Sequence, residues 1–169
     1  MVSPTPETSS ASVLNRSKLS PKRLYGFLAA AEMVTWALLI ISMVLKYAAD
    51  LPAFVRVFGM VHGVVFISYI LVTIFVWANE RWSFVQGLLG MGSAVIPFAT
   101  LPFERSILRR GMLSDSWRLA PGGDDPHGIV EKLQATALRK PLLAALVGIV
   151  LVAVVTSVLL VVGPPGGSK

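Results

Sequence analysis

The chain contains no cysteine and only two histidines. Without cysteine there can be no disulfide framework, zinc–thiolate site or thiol catalysis. Charge is also scarce. Asp, Glu, Lys and Arg make up 14% of the residues, against about 25% in soluble domains. That leaves too little polar surface for a water-soluble globule. No Walker loop, nucleophile–base pair, paired acid–base carboxylates or metal-ligand repeat is found. The expectation is a non-enzyme with no cofactor and no metal. Acidic residues number nine against fifteen Lys and Arg, a net charge of +6. No aromatic–basic module accompanies that excess. It therefore marks cytoplasmic loops and anionic-lipid contact, not nucleic acid.

What the chain has in quantity is apolar sequence: 54% hydrophobic residues and a mean hydropathy of +0.72. Runs of about 20 apolar residues can each cross a bilayer core of roughly 30 Å. The expected fold class is an all-α integral membrane helical bundle, a three-helix core plus a fourth C-terminal transmembrane helix. Residues 1–21 read as a disordered tail and 22–110 as a three-helix membrane module. Residues 111–141 read as a polar loop with an amphipathic interfacial helix, 142–162 as the fourth span, and 163–169 as a tail. The first apolar run is too long for a signal peptide and reads as an uncleaved span from about Leu24 to Tyr47. The second runs to Trp77. The third, 83–103, holds Gly87, Gly90, Gly92, Pro97 and Pro102, so a kinked, tightly packed helix is expected.

Orientation depends on that third segment. With four spans, nine Lys/Arg lie on one side and six on the other. If 83–103 is re-entrant, the split becomes twelve against three. Twenty-one apolar residues usually span, so four spans are expected.

The second run, VRVFGMVHGVVFISYILVTIFVW (55–77), organises the rest. His62, Phe66, Tyr69 and Thr73 follow one stripe, and Gly59 and Gly63 form a small-xxx-small pair for helix packing. A carboxylate in hydrocarbon costs about 2.5–3.5 kcal/mol to insert, so Glu32 should face the bundle and have a partner. In an ideal hairpin Glu32 lies about 21 Å deep and Tyr69 about 20 Å, while His62 is only about 9 Å deep. Two polar layers follow: Glu32–Tyr69–Ser93, and His62–Thr100. The bland reading is a hydrogen-bonded lock between helices. The functional one is a proton- or cation-handling carboxylate, or a quinone or lipid site. Haem is disfavoured, because His127 sits in a loop.

Lys46 closes the first span at the interface. Arg105, Arg109 and Arg110 follow the third segment as an interfacial basic anchor for lipid phosphates, with a protein docking site as the sharper option. Asp124, Asp125 and His127 could bind a divalent ion, but in a Gly/Pro turn they read better as solvated. Residues 129–140 place Ile129, Val130, Leu133, Ala137 and Leu138 on one helical face.

Glu32, LKY (45–47), Pro52, GMVHG (59–63) with Phe66 and Tyr69, Trp82 and PFAT (97–100) occur in one order. Together they resemble the domain-of-unknown-function 3817 (YdzA-like) family of small bacterial integral membrane proteins. The resemblance covers roughly residues 22–110. It implies a three-span module in the bacterial plasma membrane, with interest in Glu32, His62 and Tyr69, and no established activity. The expected function is an accessory or scaffold subunit. Its partners would be the lipid bilayer and a membrane protein or a second copy. The rivals are a small oligomeric transporter or channel with Glu32 and His62 lining a route, and a lipid- or quinone-binding module.

Overall fold

The computed structural model describes residues 20–162, which form six helices and no strand. The tail expectations for 1–19 and 163–169 lie outside these residues. Helix α1 is Pro21–Ala49 and α2 is Pro52–Glu80. Ser20 caps α1 by accepting from Arg23 N, with Pro21 in the first turn, the pairing that satisfies orphan N–H groups at a helix start. Only Asp50 and Leu51 join α1 to α2, with Asp50 in the left-handed region at φ 54°. The two helices pack along each other as the central pair.

The third apolar segment is not a span. It breaks into α3 (Phe84–Val95) and α4 (Thr100–Arg109). Proline is the cause. Pro97 lacks an N–H and pushes Ile96 out of helical geometry, to φ −95°, ψ 120°. Phe98 then turns the chain at φ 65°. Helix α3 descends beside α2, with Ser93 against Tyr69, and reaches Trp36, the middle of α1. Helix α4 climbs back, with Thr100 on Ala29 and Glu104 beside Gly26. The segment that follows returns to where α3 began: Trp82 Nε1 donates to Met112 O, and Lys22 N to Ser114 O. Segment 83–103 therefore enters and leaves on one side, and the four-span expectation gives way to a re-entrant hairpin. Three helices remain long and apolar enough to cross: α1, α2 and α6 (Pro141–Val162).

This places ten of the twelve described Lys/Arg on the α1 N-terminal side, the asymmetry that the positive-inside rule associates with a cytoplasmic face. A direct test uses the absence of native cysteine. Arg81→Cys and Asp125→Cys should react with an impermeant maleimide from the same side, and Leu51→Cys from the other. Labelling of positions 81 and 125 from opposite sides would restore a spanning third helix.

Residues 110–127 cap that end instead of forming a free loop. Leu113, Trp117 and Leu119 are buried there, and Gly123 N and Asp124 N donate to Ala120 O and Arg118 O. Helix α5 (Gly128–Arg139) turns Gln134 and Ala135 inward, with Gln134 Nε2 on Phe75 O at 2.7 Å. Ile129, Val130 and Leu133 face outward. Helix α6 then runs antiparallel to α2, its Ala145 to Ser157 stretch lying beside Leu71 and Val64.

Candidate functional site

All five residues expected in the polar layers are buried: Glu32, Tyr69, Ser93, His62 and Thr100. Their pairing differs from the expectation. Tyr69 meets Ser93 at 3.0 Å as expected, but its second partner is Tyr25 at 2.6 Å, not Glu32. Ser93 Oγ donates to Gly90 O at 2.7 Å. A hydroxyl has one proton. Ser93 must therefore accept from Tyr69, and Tyr69 from Tyr25, so the chain of bonds runs one way from α1 through α2 to α3. Thr100 donates to Ala29 O at 2.9 Å and ties α4 to α1, and so is not a partner of His62.

His62 instead joins Glu32. Its Nδ1 lies 3.9 Å from Glu32 Oε2 and 3.1 Å from Thr35 Oγ1. Thr35 donates its single proton to Glu32 O at 3.0 Å, so the contact with His62 needs a proton on Nδ1. Trp36 stacks at a tilt on the imidazole, centroids 4.6 Å apart, while its Nε1 donates to Ala94 O at the apex of the hairpin. Neither Glu32 carboxylate oxygen has a hydrogen bond, although the side chain is 0% exposed. Depth counting failed here because it took the two helix ends as level. The contacts 25–69, 32–62 and 35–62 all sit nearer the start of α2 than level ends allow. By residue count these pairs fall four to seven residues short of level, about 6–10 Å or one to two turns along the axes.

The packing glycines also differ from expectation. A Cβ on Gly59 would touch only Leu39, at 3.8 Å, and one on Gly63 would meet nothing within 4 Å. The close approach occurs at Gly87, where a Cβ would fall 2.1 Å from the Trp77 ring, and at Gly90, against Thr73 and Phe103.

Lys46 lies in the last turn of α1, Arg105 and Arg109 on α4, and Arg110 just after it. Lys46 Nζ sits 5.2 Å over the Tyr47 ring. Arg105, Arg109 and Arg110 are exposed around a cleft on α4. Asp124 pairs with Arg118 at 3.3 Å. Among the described residues no group of three His, Asp or Glu could hold a metal ion.

Sequence reasoning missed Arg118 altogether. Its Nε donates to Asn79 O (2.9 Å) and its Nη2 to Glu131 Oε1 (2.7 Å), and its backbone N reaches Asn79 Oδ1 (3.0 Å). Glu131 also accepts from His127 N at 2.7 Å. That backbone bond, then Arg118 and Arg81, hold its carboxyl at about 2, well below the usual carboxylate range. The only sequence signal was an arginine in an otherwise polar loop.

Two spans bracing a re-entrant hairpin around a buried polar core, with a further apolar helix alongside, define a multi-pass α-helical membrane protein. Within that class the chain belongs to the family described as domain of unknown function DUF3817, whose profile matches residues 22–109. That match takes in α1 to α4 and leaves α5 and α6 outside. A Streptomyces coelicolor protein, SCO5905, whose name describes it only as a membrane protein, is 36% identical over 93 residues, 54% of this chain and 11% of that one. YdzA of Bacillus subtilis, named as an uncharacterised membrane protein, is 34% identical over 85 residues, 50% of this chain and 86% of its own length. The chain thus spans about a tenth of the first relative and most of the second. No solved structure matches.

Proposed function

We propose that this protein is a non-catalytic accessory or scaffold subunit of the bacterial plasma membrane, acting by binding another membrane protein. The observation that supports it is α6. None of its 22 residues is buried. It meets α2 across an open apolar groove of about 590 Å³. A span that packs so little on its own chain has nearly its whole surface free for another helix. The polar residues point the same way. Glu32, Tyr69 and Thr100 have no exposure, so the stripe faces a packed interior and not an opening. Affinity purification in a mild detergent should retain a stoichiometric membrane-protein partner. Solitary migration in every detergent would overturn the reading.

One observation favours a second reading, proton or cation transport: the Glu32 carboxylate lies 3.9 Å from His62 Nδ1 with both oxygens unpartnered. Such an intramembrane carboxylate is a functional candidate by default. Glu32→Gln separates the two readings. It keeps the shape and removes the ionisable group. On the scaffold reading partner retention is unchanged, because no donor to the carboxylate is lost. On the transport reading proton-coupled flux in liposomes collapses. A lipid- or quinone-binding site at Phe66, Tyr69 and His62 is less favoured, since the Tyr69 hydroxyl is already held by Tyr25 and Ser93.

A further inference from the structure

Independently of the scaffold reading, the outer face of the re-entrant hairpin has a chemistry of its own. Pro102, Arg105, Ser106, Arg109 and Arg110 line a cleft of about 390 Å³ on α4. Positions 102, 105–106 and 109–110 recur at helical spacing on one side of the helix. The opposite side, Thr100, Glu104 and Ile107, is buried. The one acidic residue of α4 is thereby turned away: Glu104 Oε1 points at Gly26, 3.2 Å from where a Cβ there would lie.

No ion pair reaches these arginines from the rest of the described chain. Asp115 is spent on Lys22, Asp124 on Arg118, and Glu131 on Arg118 and Arg81. Glu80 accepts from Ser114 and Asn79. Three like charges within two turns repel one another and weaken the helix that carries them. An external anion is what would reverse that sign. The level is that of the headgroups, because α4 emerges beside Gly26 and the chain beyond it meets Lys22 at the start of α1. The side is the more basic of the two, where anionic lipid is attracted.

We propose that the α4 cleft is a binding site for the phosphate of an anionic phospholipid, with Arg105 and Arg109 as guanidinium forks and Ser106 as a neutral hydroxyl donor. Arginine forks match phosphate oxygens bidentately, which a lysine ammonium cannot do. The site belongs to α4, so it ties lipid recognition to the seating of the re-entrant hairpin.

The full chain is purified in a neutral detergent and titrated with dioleoylphosphatidylglycerol or dioleoylphosphatidylcholine, with native mass spectrometry reading the lipid retained. The wild type should retain phosphatidylglycerol in preference to phosphatidylcholine, a comparison that needs no variant. The triple variant R105Q/R109Q/R110Q should lose about tenfold or more in retention. Arg109→Lys should fall between, and K46Q/R56Q, at the opposite end of the bundle, should match the wild type. Equal retention of both lipids, or a triple variant that retains as much as the wild type, overturns the site. Displacement of the lipid by equimolar inorganic phosphate overturns the lipid source, since the cleft would then be reading a soluble phosphate.

Discussion

Gly87→Ala should unseat the re-entrant hairpin, while Gly63→Ala, the same change on the neighbouring span, should leave the protein as stable as before or slightly more so. At Gly87 the added methyl would fall 2.1–2.3 Å from three carbons of the Trp77 ring. The indole has no easy retreat. Its Nε1 donates to Trp82 O at 2.8 Å, and Phe84 packs against it with centroids 5.9 Å apart. Either the bond breaks or α3 moves away from α2, and moving α3 also opens the contact at Gly90 against Thr73. Overpacking of this kind costs about 1–3 kcal/mol, and the hydrogen bond adds about 1. Thermal unfolding in detergent, followed by size-exclusion of the soluble fraction, reads it. At Gly63 a Cβ meets nothing within 4 Å, so only the helix-propensity gain remains, at about 0.5–1 kcal/mol. The double variant G87A/W77F should be less damaged than the two single changes combined, because the smaller ring vacates the space the methyl needs. Equal stability of Gly87→Ala and the wild type would mean that α3 does not approach α2 this closely.

That contrast shows what the sequence could and could not convey. Spacing made Gly59 and Gly63 the obvious seam, but spacing says which residues are small, not what stands opposite them. The spans themselves were legible, since length and hydropathy suffice to mark α1, α2 and α6. So was the burial of Glu32, His62, Tyr69, Ser93 and Thr100, because polar residues in hydrocarbon have nowhere else to go. Which of them meet was not legible. It depends on the offset between α1 and α2, which no single-helix pattern encodes. The hairpin lay between these cases. Pro97 and the twelve-to-three division of basic residues both pointed to it. The apolar length outweighed them, because 21 residues suffice for a span only when the helix is continuous. Trp117 and Leu119 were hidden for another reason. They lie in a stretch that reads as polar loop, and they are buried because the loop folds back over the helix ends.

Arg118→Met should release α5 from the bundle and shrink an acid-sensitive step that the wild type shows. The carbonyls of Ala78 and Asn79 lie at the last turn of α2, where no intrahelical donor remains. Arg118 supplies donors to both, at 3.5 and 2.9 Å, and brings positive charge to a helix C-terminus. The same guanidinium holds Glu131 at 2.7 Å, and with it the start of α5. Methionine keeps much of the stem and loses every one of these donors, at a cost of about 2–4 kcal/mol. The readout is protease cleavage between Pro121 and His127, which should be slow in the wild type and fast in the variant. The pH dependence follows from Glu131. Its carboxyl is held at about 2 against a usual 4.5, so a folded-state value below the unfolded one adds stability that is complete above 4.5. That stability is lost as pH falls from 4.5 towards 2. Wild-type cleavage should therefore quicken through that acid window and stay flat from pH 5 to 8. In Arg118→Met the acid step should shrink without vanishing, because the His127 backbone N–H still holds the carboxylate. A wild-type step centred near pH 6 instead would assign the sensitivity to a histidine, and an unchanged cleavage rate in the variant would remove Arg118 as the clasp.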